Sequence, residues 1–289
     1  MAKLDGPEQC ASSRKTTTEE RPTTNKLMLT KAYSLISYEL DSLDGKIGKV
    51  KDFYFDDRLW KIRYLIVDTG KWLPGRQVLL SPQALSRVND ATDLITVALT
   101  RKQIEDSPSL ADHKPVSRQF EDAYYCHYGW PPYWTGLSIE SVYSDSSNES
   151  HKGMRPNQME NGADQHLRST HEVSRYSIHA IDGGIGHVED FIIDDDTWKI
   201  RYLVVNISNW LAGKNVLISP EWIERISVFE SEVFLGLSRE EIKKSPEYSE
   251  ETLLTRDYEA RLYKHYHRPE YWVNELLTEG SSVLNKVVF

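Results

Sequence analysis

Apolar and polar positions along residues 47–68 follow the two-residue period of β-strands. Val, Ile, Tyr and Phe dominate residues 47–55 and 62–68, and the polar stretch 56–59 between them supplies a turn, so the pair predicts a hairpin. Tyr64, Leu65, Ile66 and Val67 form an unbroken apolar run, the pattern of a strand covered on both faces in a closed or sandwiched sheet. Residues 77–80, 84–88 and 94–98 add short strands separated by Ser-Pro and Asn-Asp-Ala turns, which gives about six strands to a small barrel. The period then changes. Thr100 with Gln103, and Ser238 with Glu241, carry the hydroxyl and long polar side chain of a capping box, so a short helix begins at each. A second helix is predicted over residues 118–128, capped by Ser117 and stopped at Gly129, with a counterpart over 256–266 capped by Thr255.

These counterparts belong to a whole-domain repeat. Asp44 to Pro82 reads DGKIGKVKDFYFDDRLWKIRYLIVDTGKWLPGRQVLLSP, and Asp182 to Pro220 reads DGGIGHVEDFIIDDDTWKIRYLVVNISNWLAGKNVLISP, without a gap. The same offset, about 138 residues, relates His127-Tyr128 to His265-Tyr266 and Tyr133-Trp134 to Tyr271-Trp272. So long an offset describes a duplicated globular fold and excludes a solenoid or propeller. Residues 1–30 are polar and uncopied, as a disordered tail would be. Residues 31–136 form the first unit, 137–170 a flexible linker rich in Ser, Asn, Gly and Asp, and 171–273 the second unit. Residues 274–289 end in the apolar run from Val283 to Phe289, which is suited to docking and to tying the units together. Each unit has its own strand set and so predicts its own core. Duplicated units can also dock through equivalent faces as a pseudo-dimer.

Composition narrows the function classes. A net charge of −9 and a pI near 5.5 disfavour nucleic acid as a partner, because phosphate-backbone binding draws on clustered Lys and Arg. Only Cys10 and Cys126 occur, without counterparts in the other unit, which predicts no disulfide framework and a reducing compartment. No stretch approaches the roughly 18 apolar residues of a membrane span, and the first residues are too polar for a signal peptide; the expectation is a cytoplasmic protein.

Gly45 and Gly48, matched by Gly183 and Gly186, open a strand and not a helix, so they read as turn or bulge positions and not as a phosphate cradle. Asp56-Asp57 and Asp194-Asp195 are consecutive in a hairpin turn. Calcium loops alternate their ligands, so these acids read as turn-capping groups and not as metal ligands. Lys61 and Arg63, matched by Lys199 and Arg201, alternate with apolar residues. That places both cations of each pair on one face, most simply a solvated one within reach of Asp52 or the turn acids, and the sharper reading is an anion-binding or partner surface. Trp60, Trp72, Trp198 and Trp210 recur near turns as plugs of the barrel ends or as interface anchors. His265 and His267 face only His127 in the other unit, so no shared metal set exists, and no nucleophile elbow occurs. No catalytic, metal or cofactor residue is assigned.

The order Asp-Gly-x-Ile-Gly-x-Val-x-Asp-Phe, an acidic turn, Trp-Lys-Ile-Arg-Tyr-Leu-x-Val and Val-Leu-x-Ser-Pro resembles the PRC-barrel family, over roughly residues 34–108 and 172–246. The barrel is similar to that of the photosynthetic reaction centre H subunit and of the ribosome maturation factor RimM, and the arrangement resembles a stand-alone bacterial protein with two such barrels. The resemblance implies a mainly β fold with short helices: two tandem small barrels, each followed by a short capped helix and a second, aromatic one. It implies a non-catalytic binding or scaffold protein whose partner is a protein or a small ligand. The alternatives are an RNA- or ribosome-associated factor, an H-subunit-like role in photosynthetic electron transfer, and an enzyme with a site between the units.

Overall fold

The computed structural model describes residues 29–109, 116–136, 166–207 and 213–273. The first repeat runs β1 (Leu29–Lys31), α1 (Ala32–Leu35), β2 (Glu39–Ser42), β3 (Gly45–Asp56), β4 (Lys61–Asp68), β5 (Gln77–Leu80), β6 (Leu85–Asn89), β7 (Leu94–Val97), α2 (Arg101–Glu105) and α3 (Arg118–Tyr128). The second runs β8 (Leu167–Ser169), α4 (Thr170–Val173), β9 (Ser177–Ala180), β10 (Gly183–Asp194), β11 (Ile200–Asn206), β12 (Asn215–Ile218), β13 (Ile223–Ser227), β14 (Glu232–Leu235), α5 (Arg239–Lys244), β15 (Glu247–Tyr248) and α6 (Arg256–His265). The fold is mainly β, in two barrel-like units. Both capping boxes are formed, and Ser117 and Thr255 cap α3 and α6.

In the first unit the strand order is β5-β4-β3-β2-β7-β6, with β2 and β7 parallel and the remaining neighbours antiparallel. The second repeats it as β13-β14-β9-β10-β11-β12 and adds β15 beside β12. The close approach of β3 to the end of β4 explains one glycine of each repeat. A Cβ on Gly48 would collide with the Asp68 carbonyl oxygen, and one on Gly186 with the Asn206 carbonyl oxygen, so only glycine lets these strands meet.

β4 is apolar on both faces because it is covered twice. Leu65 and Val67 enter the main core, whereas Tyr64 and Ile66 enter a second cluster beneath α3, with Tyr124 and Tyr125. Alternation of side chains across a strand sends successive residues to opposite faces, so each face needs its own cover.

The units are not independent. β1 leaves the first repeat and pairs with β10 of the second, Leu29 opposite Asp194 and Lys31 opposite Ile192. Reciprocally, β8 pairs with β3 of the first, Leu167 opposite Asp56 and Ser169 opposite Tyr54. The exchanged strands are equivalent in the repeat, so the two halves are related as in an isologous dimer. Residues 29–30 and 167–170, at the edges of the spans read from sequence as tail and linker, are therefore strand, with Thr170 opening α4. The run from Val283 to Phe289 lies outside the described residues; it is exchanged strands that tie the described halves together.

The expectation of two separate cores is overturned. One continuous buried cluster contains Leu40, Phe53, Phe55 and Leu65 of the first unit together with Ile178, Phe191, Trp198 and Leu203 of the second. Phe55 meets Phe191 at 5.6 Å between ring centroids, and Phe53 meets Trp198 at 6.4 Å. Large apolar rings at the junction bury area that neither unit covers by itself, and this is why the halves fuse.

Candidate functional site

The junction is built by two equivalent hairpin turns. Asp56 accepts from the Arg58 and Leu59 amides at 2.9 and 3.1 Å, and Asp194 accepts from the Asp196 and Thr197 amides at 3.1 and 3.2 Å. Aspartate suits this position because its short carboxylate caps amides two and three residues on. Each turn ends on a tryptophan in the left-handed region, Trp60 at φ 49° and Trp198 at φ 57°. From there the turns join each other. Ile62 donates its amide to the Trp198 carbonyl at 2.8 Å, and Ile200 donates to the Trp60 carbonyl at 2.7 Å. Between these bonds Lys61 and Lys199 stand opposite each other on the pseudo-two-fold axis. Trp198 is buried against Phe53 of the other unit and so anchors the junction, whereas Trp60 stacks on Phe55 of its own unit at 5.4 Å.

The strand cations are placed differently from the sequence expectation of a solvated face. Arg63 and Arg201 are 7% and 8% exposed, because the segment after the aromatic helix covers them. Arg201 donates twice to Asp194 Oδ2, at 2.7 and 3.1 Å, and its guanidinium lies 4.3 Å over the Tyr271 ring. Arg63 lies 3.7 Å from Asp56 Oδ2 and 3.7 Å over the Tyr133 ring. Alternation along a strand identifies a shared face; it does not reveal that another element covers that face.

Beneath each stacked arginine lies a fully buried glutamate. Glu259 accepts from Tyr202 at 2.7 Å and Tyr271 at 3.0 Å, and Arg256 is 2.9 Å away. Glu121 accepts from Tyr64 at 2.8 Å and Tyr133 at 3.2 Å, with Arg118 at 3.0 Å. Burial beside the carboxylate holds the Tyr64 and Tyr202 phenols protonated far above their ordinary range. Sequence reasoning missed both glutamates. The available signal was a carboxylate at the same offset in both repeats, four residues before a buried tyrosine of an aromatic helix.

A cleft of about 640 Å³ opens at this junction. Asp57, Arg58, Leu59 and Trp60 of the first unit form one wall, and Lys199, Arg201, Ser219, Glu224, Tyr263 and Tyr271 of the second line the rest. Lys61 flanks it, half-buried; burial, with Arg63 and Lys199 nearby, lowers its pKa. Among the described residues no carboxylate lies within ion-pair distance of the Lys61 ammonium.

The other candidate residues are dispersed. Trp72 is partly buried beneath the Arg101 guanidinium, 4.7 Å from its ring, and Trp210 lies outside the described residues. Gly45 and Gly183 stand at φ 133° and 124° beside Arg101 and Arg239, whose amides donate to Asp44 and Asp182 at 2.7 and 2.8 Å and dock each hairpin tip on a helix. His127 and His265 do equivalent work, each bonding a carbonyl of the capped helix, Gln103 at 2.9 Å and Glu241 at 2.8 Å. Cys126 is exposed and Cys10 lies outside the described residues.

The turn acids have diverged between the halves. Asp57 pairs with His166 and Arg168 at 2.9 and 2.8 Å. Those partners correspond in sequence to Met28 and Thr30, and Asp195 is pushed up to about 6 by burial, with Asp194 and Asp90 nearby. Asp52 accepts from the Ser169 hydroxyl at 2.6 Å and the Thr170 hydroxyl at 2.9 Å, where the counterparts near Asp190 are Lys31 and Ala32.

No helix among the described residues is long and apolar enough to cross a membrane. No curated protein matches the chain. The PRC-barrel domain model matches residues 34–104 and 178–235, one segment in each repeat. Sheet order, strand lengths and these matches agree, and each repeat carries a PRC-barrel domain.

Proposed function

We propose that the protein is a non-catalytic binding module, and that the cleft at the junction of its two barrels is the binding site. The observation that carries this reading is the fused junction. Exchanged strands and a common core fix residues of both units around one concavity. Its volume of about 640 Å³ falls in the range of small-molecule sites, which favour interfaces between domains.

The buried carboxylates near it argue against proton-transfer work. A general base needs a lone pair within reach of substrate. Glu259 is engaged by two tyrosines and an arginine, and Asp194 by Arg201 and two turn amides. Net charge of −9 also disfavours the RNA-associated alternative, since backbone binding scales with neutralised phosphates.

The test is a thermal-shift screen of the full chain against small metabolites, repeated on Ile223→Trp, which fills the cleft from a partly exposed strand position. Compounds that stabilise the wild type and lose their effect in the variant support the reading. Stabilising compounds that act equally on both would place binding elsewhere and overturn it.

A further inference from the structure

The two exchanged arms are equivalent in the repeat but unequally held. Side chains secure the β8–α4 arm: Asp52 accepts from the Ser169 and Thr170 hydroxyls, and Asp57 pairs with His166 and Arg168. The β1–α1 arm leans on backbone. Asp190 accepts from the Tyr33 amide at 3.1 Å, and Lys31 lies 5.5 Å from the Tyr248 ring centroid and 3.2 Å from Glu250, whose side chain is 91% exposed. The arm also ends on a strained joint. At Ser37 the chain returns to its own unit, donating an amide to the Val50 carbonyl at 2.8 Å, and there φ is 74°, a left-handed conformation that costs a serine energy. Its counterpart Arg175 is not left-handed.

The seat of the arm is the same in every copy of the chain. β10 sets the register, with Leu29 to Lys31 opposite Asp194 to Ile192, and the buried cluster takes Ala32 and Leu35. Leu29–Lys31 of any copy therefore fits β10 of any other with the same bonds. We propose that β1–α1 is an exchangeable arm hinged at Ser37, and that the partner it fits is β10 of a second copy of this chain. Two copies that trade arms form a closed two-fold dimer that keeps every arm contact of the monomer. The joint supplies the drive, because an arm that reaches outward lets Ser37 leave its left-handed conformation, and short hinges under strain invite exchange. Burial pushes the Asp190 carboxyl from 3.8 up to about 6; Glu189 adds to this, while the Phe191 and Tyr33 amides and Lys31 oppose it, and Tyr248 and Glu250 are the other titratable groups beside it. The seated arm thus favours the protonated acid, and the hold it provides below pH 4 declines as pH rises through 6.

The experiment uses the full chain carrying Cys10→Ser and Cys126→Ser, concentrated at pH 7.5 and read by size exclusion with light scattering. A dimer is expected, in a fraction that rises with concentration. Thr30 and Ile193 are directly opposite, so Thr30→Cys and Ile193→Cys in one chain close an internal disulfide when oxidised dilute. This lock should lower the dimer fraction at least about tenfold, and reducing it should restore the dimer, which separates a locked arm from a damaged fold. Placed on different copies, the same two cysteines should join one copy to the other. Lys102→Cys, at an exposed helix position, should not join to Ile193→Cys. A chain that stays monomeric at every concentration overturns the proposal. So does a dimer that survives the lock, or cross-linking from Lys102→Cys equal to that from Thr30→Cys.

Discussion

Phe55→Ala tests whether the two barrels fold as one body. Phe55 is fully buried, stacks on Trp60 at 5.4 Å and meets Phe191 of the other unit at 5.6 Å. Truncating a buried phenylalanine costs about 3–5 kcal/mol, and each lost aromatic pair accounts for about 0.5–1.5 kcal/mol of interaction beyond its area. Against a stability of about 5–15 kcal/mol, that is a large fraction of the total. With a urea dependence of about 2 kcal/mol per molar, the midpoint should fall by about 1.5–2.5 M. The informative readout is where protection disappears. Hydrogen exchange followed by mass spectrometry across the urea transition should show peptides from β4 and β11 losing protection together, because both strands contribute to one buried cluster. Two separate cores would behave differently: the first unit would lose protection while β11 kept it. That result, in this variant or in Leu65→Ala, would refute the shared core.

Two further outcomes follow from positions where the two repeats can be compared. Burial pushes the Asp190 carboxyl up to about 6, with Lys31, Glu189 and Tyr248 as its charged and titratable neighbours, while its ordinary value is 3.8. The folded state thus holds the proton more tightly than the unfolded one, so stability is greatest below pH 4 with respect to this group and falls as pH rises toward 6. The penalty reaches at most about 3 kcal/mol above that pH. Since the Tyr33 amide donates to Asp190, exchange at residues 29–36, corrected for intrinsic rate, should be faster at pH 7.5 than at pH 5, and Asp190→Asn should flatten the difference; unchanged protection in the wild type between these pH values would contradict the argument. Gly48→Ala should lower the thermal midpoint by more than Gly70→Ala, because its Cβ meets strand backbone whereas the Cβ at Gly70 meets nothing; equal midpoints would show that β3 and the end of β4 can part at little cost.

The elements were legible in the sequence wherever a local rule governs them. Thr100 with Gln103 and Ser238 with Glu241 define helix starts through bonds spanning three residues, and the structure forms both. Tyr64 to Val67 announces double coverage by being apolar on both faces. The strand exchange was not legible, for a physical reason. β1 and β8 are three residues long, Leu-Thr-Lys and Leu-Arg-Ser, and all their residues are only partly buried. Their pairing is carried by backbone groups that every residue possesses, so side-chain pattern gives no register and no hint of a distant partner. The burial of Arg63 and Arg201 was hidden similarly. Their cover comes from Tyr133 and Tyr271, about 70 residues away in sequence, and a cation beneath an aromatic ring has the same strand pattern as one in water. Consequently the fold class could be read from sequence, while the junction that makes the candidate site could not.

Duplication within one chain explains why the junction forms on the axis and why the arms around it differ. Away from the axis each repeat supplies its own residue, and the copies are free to diverge. Asp52 keeps the Ser169 and Thr170 hydroxyls, whereas Asp190 faces Lys31 and Ala32 and retains the backbone amides of Tyr33 and Phe191. Asp57 keeps His166 and Arg168, whereas Asp195 has no equivalents of them in sequence. Among the described residues the β1 half of the exchange, with Lys31 bonded to the exposed Glu250, is therefore held by fewer side-chain bonds than the β8 half, and opening at neutral pH should begin at β1. On the axis the constraint is the opposite. Lys61 and Lys199 stand opposite each other in one backbone bridge, and burial together with Arg63 and Lys199 lowers the pKa of Lys61, so a change at Lys199 alters the environment of Lys61.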